Sequence, residues 1–513
     1  MRQADAHGAM APSDSRGAGQ AVVIGGGFGG MAAALRLRAR GYGVTLVERG
    51  ARLGGRAQVY RSGDFTFDAG PTVITAPYLF DELFDLFGKR RSDYVNFLNV
   101  APWYRIRFYD GSHLDYGPTA EATEAEIRRL SPDDLEGYRR FAAHTKKLFE
   151  IGFEKLGPQP FHDPRTLLAT APDLVRLEGY RSVYGLTAKH MRDERLRQAF
   201  SLQPLLVGGS PRGTTCIYAL IHELERRWGV VFAQGGTGAL VDAVWRLLIE
   251  EGVDVRTNAT VRRIETDGTR ATGVTLDDGT SLPATAVVAN SDPAFTYRTM
   301  LPEITRRKRW TQRKLGRMRY AMGLFVLYFG TGARYSDLAH HTIAMGPDYV
   351  GELKNIFKTG QITETPSLYL HRPTATDPDM APPGKDAFYV LAAVPNLQAG
   401  VDWTTAGPAL RETILQRLES TVMPDLRRHL ETDFYITPET FQDAYLAEHG
   451  SAFSIQPTFT QSAWFRFHNR SEELGGLYFV GAGTHPGAGV PGVLTSAKVL
   501  ENVLDAEPNP TSA

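Results

Sequence analysis

The sequence predicts an α/β fold in which one domain is assembled from three separated stretches of the chain and a second, α+β domain fills the intervals. Three strand-forming zones predict it, at residues 21–30, 253–289 and 477–492. The outer two zones run directly into glycine-rich turns, a pattern typical of Rossmann-like nucleotide-binding units. We therefore expect the three zones to meet in one discontinuous domain.

The domain bounds follow from the changes in character between these zones. Residues 120–228 have helical periodicity, and residues 296–469 mix strands, loops and helices. We expect a nucleotide-binding domain from 20–75, 229–295 and 470–505, and a substrate domain from 76–228 and 296–469. The ends, 1–19 and 506–513, are expected to be flexible tails.

Composition excludes several classes of function. Lys+Arg and Asp+Glu both total 57 in 513 residues, so no global positive field would attract a nucleic acid. Cys216 is the single cysteine, which rules out an internal disulfide and a multi-cysteine metal site. No apolar run reaches the roughly 18 residues of a membrane-spanning helix, and the N-terminus does not resemble a signal peptide. We expect no metal and a cytoplasmic location.

The first glycine motif has the full context of a dinucleotide site. Val22–Ile24 forms an apolar strand, and the following GxGxxG pattern opens a helix. In this pattern Gly25 permits a tight turn, Gly27 lets the backbone approach a pyrophosphate, and Gly30 lets the helix pack on the strand. Glu48 ends the next strand, where a carboxylate can accept hydrogen bonds from a ribose. The alternatives are a glycine turn without a ligand and a solvated strand end at Glu48.

A second glycine element follows, Gly54-Gly55-Arg56, and it resembles the second signature of the flavin amine oxidase-like superfamily. The resemblance implies FAD, with Arg56 making a charge-assisted contact to the pyrophosphate. The glycine zone near the C-terminus fits the same superfamily, with the start of the last helix facing the isoalloxazine ring. The alternatives are a basic surface loop at Arg56 and a surface loop before the last helix.

The residues expected to bind FAD lie in five segments of the chain. They are Gly25, Gly27, Phe28, Gly29, Gly30, Glu48, Arg49, Gly54, Gly55, Arg56, Gly70, Pro71, Thr72, Val261, Gly483, Gly489, Val490, Pro491, Gly492 and Val493.

Further motifs resemble the bacterial and fungal phytoene desaturases over residues 21–504. These motifs are Pro204–Gly209, Ile217–Glu225, Ala289–Pro293, Gln461–Arg466 with His468–Arg470, and Phe479–Val493. The resemblance implies FAD-dependent insertion of double bonds into phytoene, toward neurosporene or lycopene. A hydride would pass to the flavin and a proton would be lost, and a quinone or dioxygen would reoxidise the flavin. Phe467 departs from the proline of the family pattern, which puts local substrate contacts in doubt.

The catalytic base is left open by the sequence. His485 lies in the C-terminal signature and could accept a proton, but a histidine that anchors the loop is the more common role. Arg466 and His468 are weaker candidates, since such residues are more often polar anchors.

A hydrocarbon substrate implies that the enzyme reaches a membrane surface as a peripheral protein. The basic segment 306–319 is one candidate contact, and the helical region 120–228 is another. A solvated basic helix face is an equally good interpretation of the first. Trp103, Tyr104 and Trp464 could line a polyene tunnel, although core packing is the more common role.

Other functions remain open on the sequence. A carotenoid isomerase or another carotenoid oxidoreductase would share the flavin motifs. A non-enzymatic prenyl-lipid escort protein is a more distant alternative, because such relatives have lost the cofactor whereas both glycine signatures and Glu48 are present here.

Overall fold

The computed structural model describes residues 19–301 and 309–505 and confirms the α/β class. The strands, in chain order, are β1 (Gln20–Ile24), β2 (Gly43–Val47), β3 (Val59–Ser62), β4 (Phe65–Asp68), β5 (Phe97–Asn99), β6 (Tyr104–Arg107), β7 (His113–Tyr116), β8 (Val231–Ala233), β9 (Asp254–Arg256), β10 (Val261–Thr266), β11 (Ala271–Leu276), β12 (Ser281–Pro283), β13 (Ala286–Ala289), β14 (Gly323–Thr331), β15 (His341–Ala344), β16 (Leu368–His371), β17 (Asp386–Val394), β18 (Leu430–Ile436) and β19 (Leu477–Phe479).

The α-helices vary from short turns to long surface helices. In chain order they are α1 (Phe28–Ala39), α2 (Tyr78–Asp85), α3 (Ala120–Leu130), α4 (Leu135–Phe149), α5 (Pro164–Arg176), α6 (Val183–His190), α7 (Glu194–Ala199), α8 (Leu220–Trp228), α9 (Gly236–Glu250), α10 (Pro293–Phe295), α11 (Gln312–Leu315), α12 (Tyr349–Lys354), α13 (Trp403–Thr421), α14 (Leu426–His429), α15 (Pro438–Tyr445) and α16 (Val490–Asp505).

A five-stranded parallel sheet has the order β19-β13-β1-β2-β9 and so takes strands from all three predicted stretches. The strands β19, β13, β1 and β2 are short, mainly apolar runs because both faces of the sheet are covered, whereas the edge strand β9 is polar and partly exposed. In β1, Ala21 and Val23 pack in a core cluster with α1, α9 and α16. Val22 and Ile24 pack in a cluster on the opposite face, with residues of β10 and β11.

Helix α2 packs against this sheet unit, although it lies beyond the predicted domain boundary at residue 75. Arg36 of α1 is buried and pairs with Glu82 of α2 at 3.1 Å and with Glu501 of α16 at 2.6 Å. Lys498 of α16 also reaches Glu82, at 2.9 Å. The buried guanidinium of Arg36, paired with two carboxylates, links α1, α2 and α16. The domain bounds expected from the sequence stay a prediction.

The second large sheet has seven strands in the order β18-β14-β17-β16-β15-β6-β7. The second strand in this order, β14, is buried along its full length. Alternate residues separate its two faces, as the period of a strand dictates. Phe325, Leu327 and Phe329 pack with α13, whereas Leu324 and Val326 face the opposite side and line a cavity. Within the described ranges, no helix is both long and apolar enough to span a membrane.

Buried histidines should make the fold sensitive to acid. Burial lowers the pKa of His222 and of His340 to about 3, from an ordinary value of 6.5. The unfolded chain therefore binds more protons than the native state below pH 6.5, so stability is greatest above that pH and is lost as the pH falls toward 3. We expect each residue to lower the free energy of unfolding by up to about 1.4 kcal/mol per pH unit in that window.

Denaturant titrations between pH 7.5 and 5 measure this slope. A His222→Phe variant should have a shallower slope than the wild type, whereas a variant of the exposed His113 to Phe should keep the wild-type slope. An equal slope in His222→Phe and the wild type would contradict the expectation.

Candidate functional site

A cavity of about 870 Å³ lies between the parallel sheet and the seven-stranded sheet. This volume is at the large end of ordinary ligand sites. At one end it is lined by the glycine turns after β1 and β2, and elsewhere mainly by aliphatic and aromatic side chains. Of the residues expected to bind FAD, all except Gly30 and Gly483 line it, and His485 lines it as well.

The two N-terminal glycine elements are brought together by backbone hydrogen bonds. The N–H of Gly25 donates to the carbonyl of Val47 at 2.8 Å, and that of Gly54 donates to the carbonyl of Gly26 at 2.9 Å. Helix α1 begins at Phe28, directly above this contact. Gly27, Phe28 and Gly29 line the cavity, so the start of the helix, whose first N–H groups have no partner within the helix, borders the cavity as in phosphate-binding sites.

Glu48 is fixed at the edge of this cradle. One carboxylate oxygen accepts the N–H of Gly26 at 2.8 Å and the other accepts that of Gly50 at 2.7 Å. The side chain is only 7% exposed, so Glu48 is not a solvated strand end. Its remaining lone pairs border the cavity, and they fit an acceptor for ribose hydroxyls.

Arg56 borders the same cavity with an incompletely paired guanidinium. Its Nε is buried and has no hydrogen-bond partner within the described parts of the chain. Burial lowers the pKa of Arg56, although Asp292 partly opposes this shift. Buried polar groups are nearly always paired, and a diphosphate would supply the missing acceptor. Together with the glycine cradle and Glu48, this donor set fits FAD.

The C-terminal loop is held from behind by Arg466, a predicted polar anchor, whereas His468 contacts residues that precede the loop. Arg466 is buried and donates to the carbonyls of Ala482 at 2.6 Å and Thr484 at 2.9 Å. The Nε2 of His468 lies 2.9 Å from the carbonyl of Trp464. A Cβ on Gly483 would lie 2.3 Å from Pro293, so this glycine contacts protein and not the cavity. These contacts leave residues 489–493 at the start of α16 facing the cavity.

His485 is enclosed by the chain. Its Nε2 lies 3.1 Å from the carbonyl oxygens of both Leu156 and Gly157, and its ring packs against Phe161. Burial lowers the pKa of His485 to about 4, so the ring is neutral at neutral pH. These contacts fit the role of an anchor for the loop. Its role as a proton acceptor stays a prediction.

Several hydrogen bonds of residues around the cavity are not predicted from the sequence. Tyr104 donates to buried Glu225 at 2.9 Å, and burial raises the pKa of that carboxyl to about 7. Tyr369 and Tyr389 come from neighbouring strands and both contact Thr72, at 3.3 and 2.5 Å. Only their position on a folded sheet brings them together, so no local motif identifies them.

Aromatic residues expected in a tunnel divide into two groups. Tyr104 lines the cavity, whereas Trp103 and Trp464 do not. Trp103 packs against Gly117, and Trp464 lies under the guanidinium of Arg309. The unusual Phe467 is fully buried against Trp310, at 4.3 Å between ring centroids, so it is a core residue and does not contact the cavity.

Comparisons with known proteins agree with this geometry. The model of the family "Flavin containing amine oxidoreductase" matches residues 28–499. The lycopene-forming phytoene desaturase of Pantoea ananas is 47% identical over 94% of this chain and 98% of the relative. The neurosporene-forming phytoene desaturase of Rhodobacter capsulatus is 43% identical, over 97% and 96%.

A solved structure shows the same fold at low identity. Cyclohexylamine oxidase from Brevibacterium oxydans superposes with a TM-score of 0.60 and 18% identity, covering 95% of this chain and 99% of that one. The whole-length matches and the shared fold lead to one conclusion: the chain belongs to the carotenoid desaturase family of the flavin containing amine oxidoreductases.

Proposed function

We propose that this protein is an FAD-dependent phytoene desaturase that inserts double bonds successively, toward neurosporene or lycopene. The observation that carries the proposal is a single cavity that joins a dinucleotide cradle to an extended apolar space. The high identity to lycopene-forming and neurosporene-forming relatives supports the same substrate. The five-stranded parallel sheet is then the Rossmann-type part of the FAD-binding domain.

Each part of the cavity has a separate task in this reaction. Bound FAD supplies the acceptor for two electrons and one hydrogen. The apolar wall binds the hydrocarbon by removing it from water, worth about 25 cal/mol per Å² of surface buried. Leu324 and Val326 of β14 belong to this wall, with Leu391 and Ala393 of β17. The same wall excludes water from the reacting carbons, which protects a cationic transition state from capture.

The electron acceptor follows from the chemistry of the substrate. A hydrocarbon reaches the enzyme from lipid, where quinones also dissolve, so a membrane quinone is the acceptor we favour, with dioxygen as the second. We therefore propose a cytoplasmic enzyme that associates peripherally with the membrane.

Helix α5 is the part of the surface that best fits a contact with lipid. Leu168 and Val175 are seven residues apart, lie on one face of the helix, and are 73% and 66% exposed. Tyr180, four residues after the end of the helix, is 66% exposed. On the inner side, Leu174 and Leu177 line the cavity. A helix that is apolar on both faces is suited to cover an entrance that opens into lipid.

The basic segment is less suited to enter lipid. Arg306, Arg307 and Lys308 lie outside the described residues. In the described part of this segment, residues 309–319, Trp310 and Leu315 are fully buried, so these apolar side chains are not available to a membrane.

A Leu168→Asp/Val175→Asp variant tests the role of α5. We expect its partition onto liposomes to fall at least about tenfold, since each exposed aliphatic side chain contributes roughly 1.5–3 kcal/mol when buried in lipid. FAD content should not change. The matched control is Ile249→Asp on α9, which is 55% exposed and far from α5 in the chain. Co-sedimentation with liposomes measures the partition, and equal loss in both variants would contradict the assignment to α5.

Incubation of the FAD-loaded protein with phytoene in liposomes tests the proposed function. One sample receives air and a parallel anaerobic sample receives a quinone. We expect products that absorb at longer wavelengths than phytoene, and their spectra identify the end product. Unchanged phytoene with fully bound FAD would contradict the proposal. Geometric isomers with no added double bond would point to an isomerase.

A further inference from the structure

We infer that a buried chain of hydroxyl and imidazole groups carries the proton released in the cavity to the surface of the protein. The inference rests on the proposed function, because desaturation is what releases the proton. We call this chain the relay, and its members are Thr72, Tyr369, His341, His371, His340 and Thr376.

The relay begins in the wall of the cavity. The hydroxyl groups of Thr72 and Tyr369 are 3.3 Å apart, and both residues line the cavity. The Tyr369 hydroxyl also lies 2.7 Å from Nδ1 of His341. One hydroxyl thus joins the space that holds the substrate to an imidazole behind the wall.

The middle of the relay is a cluster of three fully buried histidines. The register of β15 and β16 places His341 opposite His371. One ring nitrogen from each of His340, His341 and His371 lies within 4.8 Å of the others. Nε2 of His340 is 3.1 Å from Nε2 of His371, a direct hydrogen bond.

The second ring nitrogen of His341, Nε2, is the atom that could connect it to the other two histidines. Its Nε2 is buried and has no hydrogen-bond partner among residues 19–301 and 309–505. Unpaired buried polar atoms are rare and call for an explanation. A ring nitrogen of His341 lies within 4.8 Å of a ring nitrogen of both His340 and His371, and a single water can bridge a span of this length with two hydrogen bonds of about 2.8 Å.

The relay ends at the surface. Nδ1 of His340 lies 2.7 Å from the hydroxyl of Thr376, and Thr376 is half-buried, with part of its surface in contact with solvent. The relay therefore connects an apolar cavity to water past the start of β15 and the end of β16.

Neutral imidazole is suited to pass protons because one nitrogen accepts while the other donates. A relay must also not retain the proton. Burial lowers the pKa of His341 and His371 well below 6.5. Nearby Arg372, paired with Asp386 at 2.9 Å, further disfavours a cation on His340.

The proton in question comes from the substrate. One C–H bond breaks and its hydrogen leaves for the flavin with the electron pair. The C–H bond on the neighbouring carbon then breaks, and its electron pair becomes the new C=C bond. This proton passes to the Tyr369 oxygen while the tyrosine proton moves to Nδ1 of His341. The Nε2–H of His341 then gives its proton to a bridging water, which passes a proton to the His371–His340 pair and from there to Thr376. The second carbon is strongly acidic beside a cationic centre, so the weakly basic relay suffices.

Anaerobic single-turnover reduction of the flavin by phytoene tests the relay in the FAD-loaded full-length protein. We compare Tyr369→Phe and His341→Gln with the wild type, in H2O and in D2O. The matched control is Tyr328→Phe, which removes a buried hydroxyl that donates to the carbonyl of Ala69 in the same sheet. Phytoene affinity and the flavin spectrum are recorded for each variant.

We expect the rate to fall at least about tenfold in both relay variants, because a positioned proton acceptor typically contributes 100-fold or more. Phytoene affinity should not change, and Tyr328→Phe should stay within about twofold of the wild type. The wild type should be slower in D2O, since the Tyr369 and histidine protons exchange with solvent, and this isotope effect should change in His341→Gln.

Three results would overturn the relay. The first is a rate within about twofold of the wild type in both relay variants, with desaturated product formed, which leaves the proposed function intact. The second is one equivalent of zinc in the purified protein, because the histidine lone pairs would then be metal ligands. The third is a wild type that forms no desaturated product, which removes the proposed function and the relay together.

Discussion

A Gly30→Ala variant is expected to lose FAD and much of its stability. A Cβ at Gly30 would lie 2.0 Å from the carbonyl oxygen of Gly25, far inside contact distance, and 3.2 Å from the side chain of Asn290. Both neighbours belong to the cradle, because Asn290 itself donates to the Gly25 carbonyl at 3.2 Å. Relief of the clash must move the turn or the start of α1, where the N–H groups would hold the phosphates.

We expect the steric clash in Gly30→Ala to cost about 3 kcal/mol. If the turn moves as a unit, this cost lowers FAD affinity roughly 100-fold. Flavin retained through gel filtration and fluorescence titration of the apoprotein measure the affinity. The control is Gly213→Ala, at an exposed turn where the added Cβ meets nothing closer than 3.7 Å. Wild-type FAD affinity in Gly30→Ala would show that the turn is not the cofactor cradle.

An Arg56→Met variant should also release FAD, but without harm to the apoprotein. The guanidinium would lose charge-assisted hydrogen bonds to the pyrophosphate, which are worth about 1.5–3 kcal/mol each, so two of them correspond to roughly 100-fold or more in affinity. In the apoprotein the same substitution removes a buried, incompletely paired cation. The free energy of unfolding without FAD should therefore be unchanged or higher.

A lower FAD affinity together with an unchanged or higher free energy of unfolding distinguishes an arginine that binds the cofactor from one that stabilises the fold. Arg52→Met is the matched control, since Arg52 is 62% exposed and pairs with Asp242 on the surface. It should keep FAD and change stability little. Destabilised Arg56→Met apoprotein with normal FAD affinity would contradict the role given to Arg56.

The cofactor half of the site could be predicted because its signal is local. A strand, a glycine turn and a helix within about thirty residues define the cradle, and the structure places Gly25 and Glu48 on its rim. The α/β class could be predicted for the same reason, since short apolar runs before glycine turns indicate parallel strands buried on both faces.

The substrate half could not be predicted because its residues meet only through long-range pairing. His341 and His371 are opposed by the register of β15 and β16, and Tyr369 of β16 contacts Thr72, which lies in the loop after β4 and is 297 residues away in the chain. Side-chain direction is equally invisible in the sequence. Trp103 and Tyr104 are adjacent, and only Tyr104 lines the cavity.

The central claim is that this chain desaturates phytoene with its own flavin, and the stoichiometry of one anaerobic turnover tests it most directly. FAD-loaded protein is mixed with excess phytoene without any other oxidant, and bleached flavin is compared with double bonds formed. We expect one new double bond for each flavin reduced, and no further product until a quinone or air is added. Desaturated product formed without flavin reduction, or oxidised flavin beside unchanged phytoene, would contradict the claim.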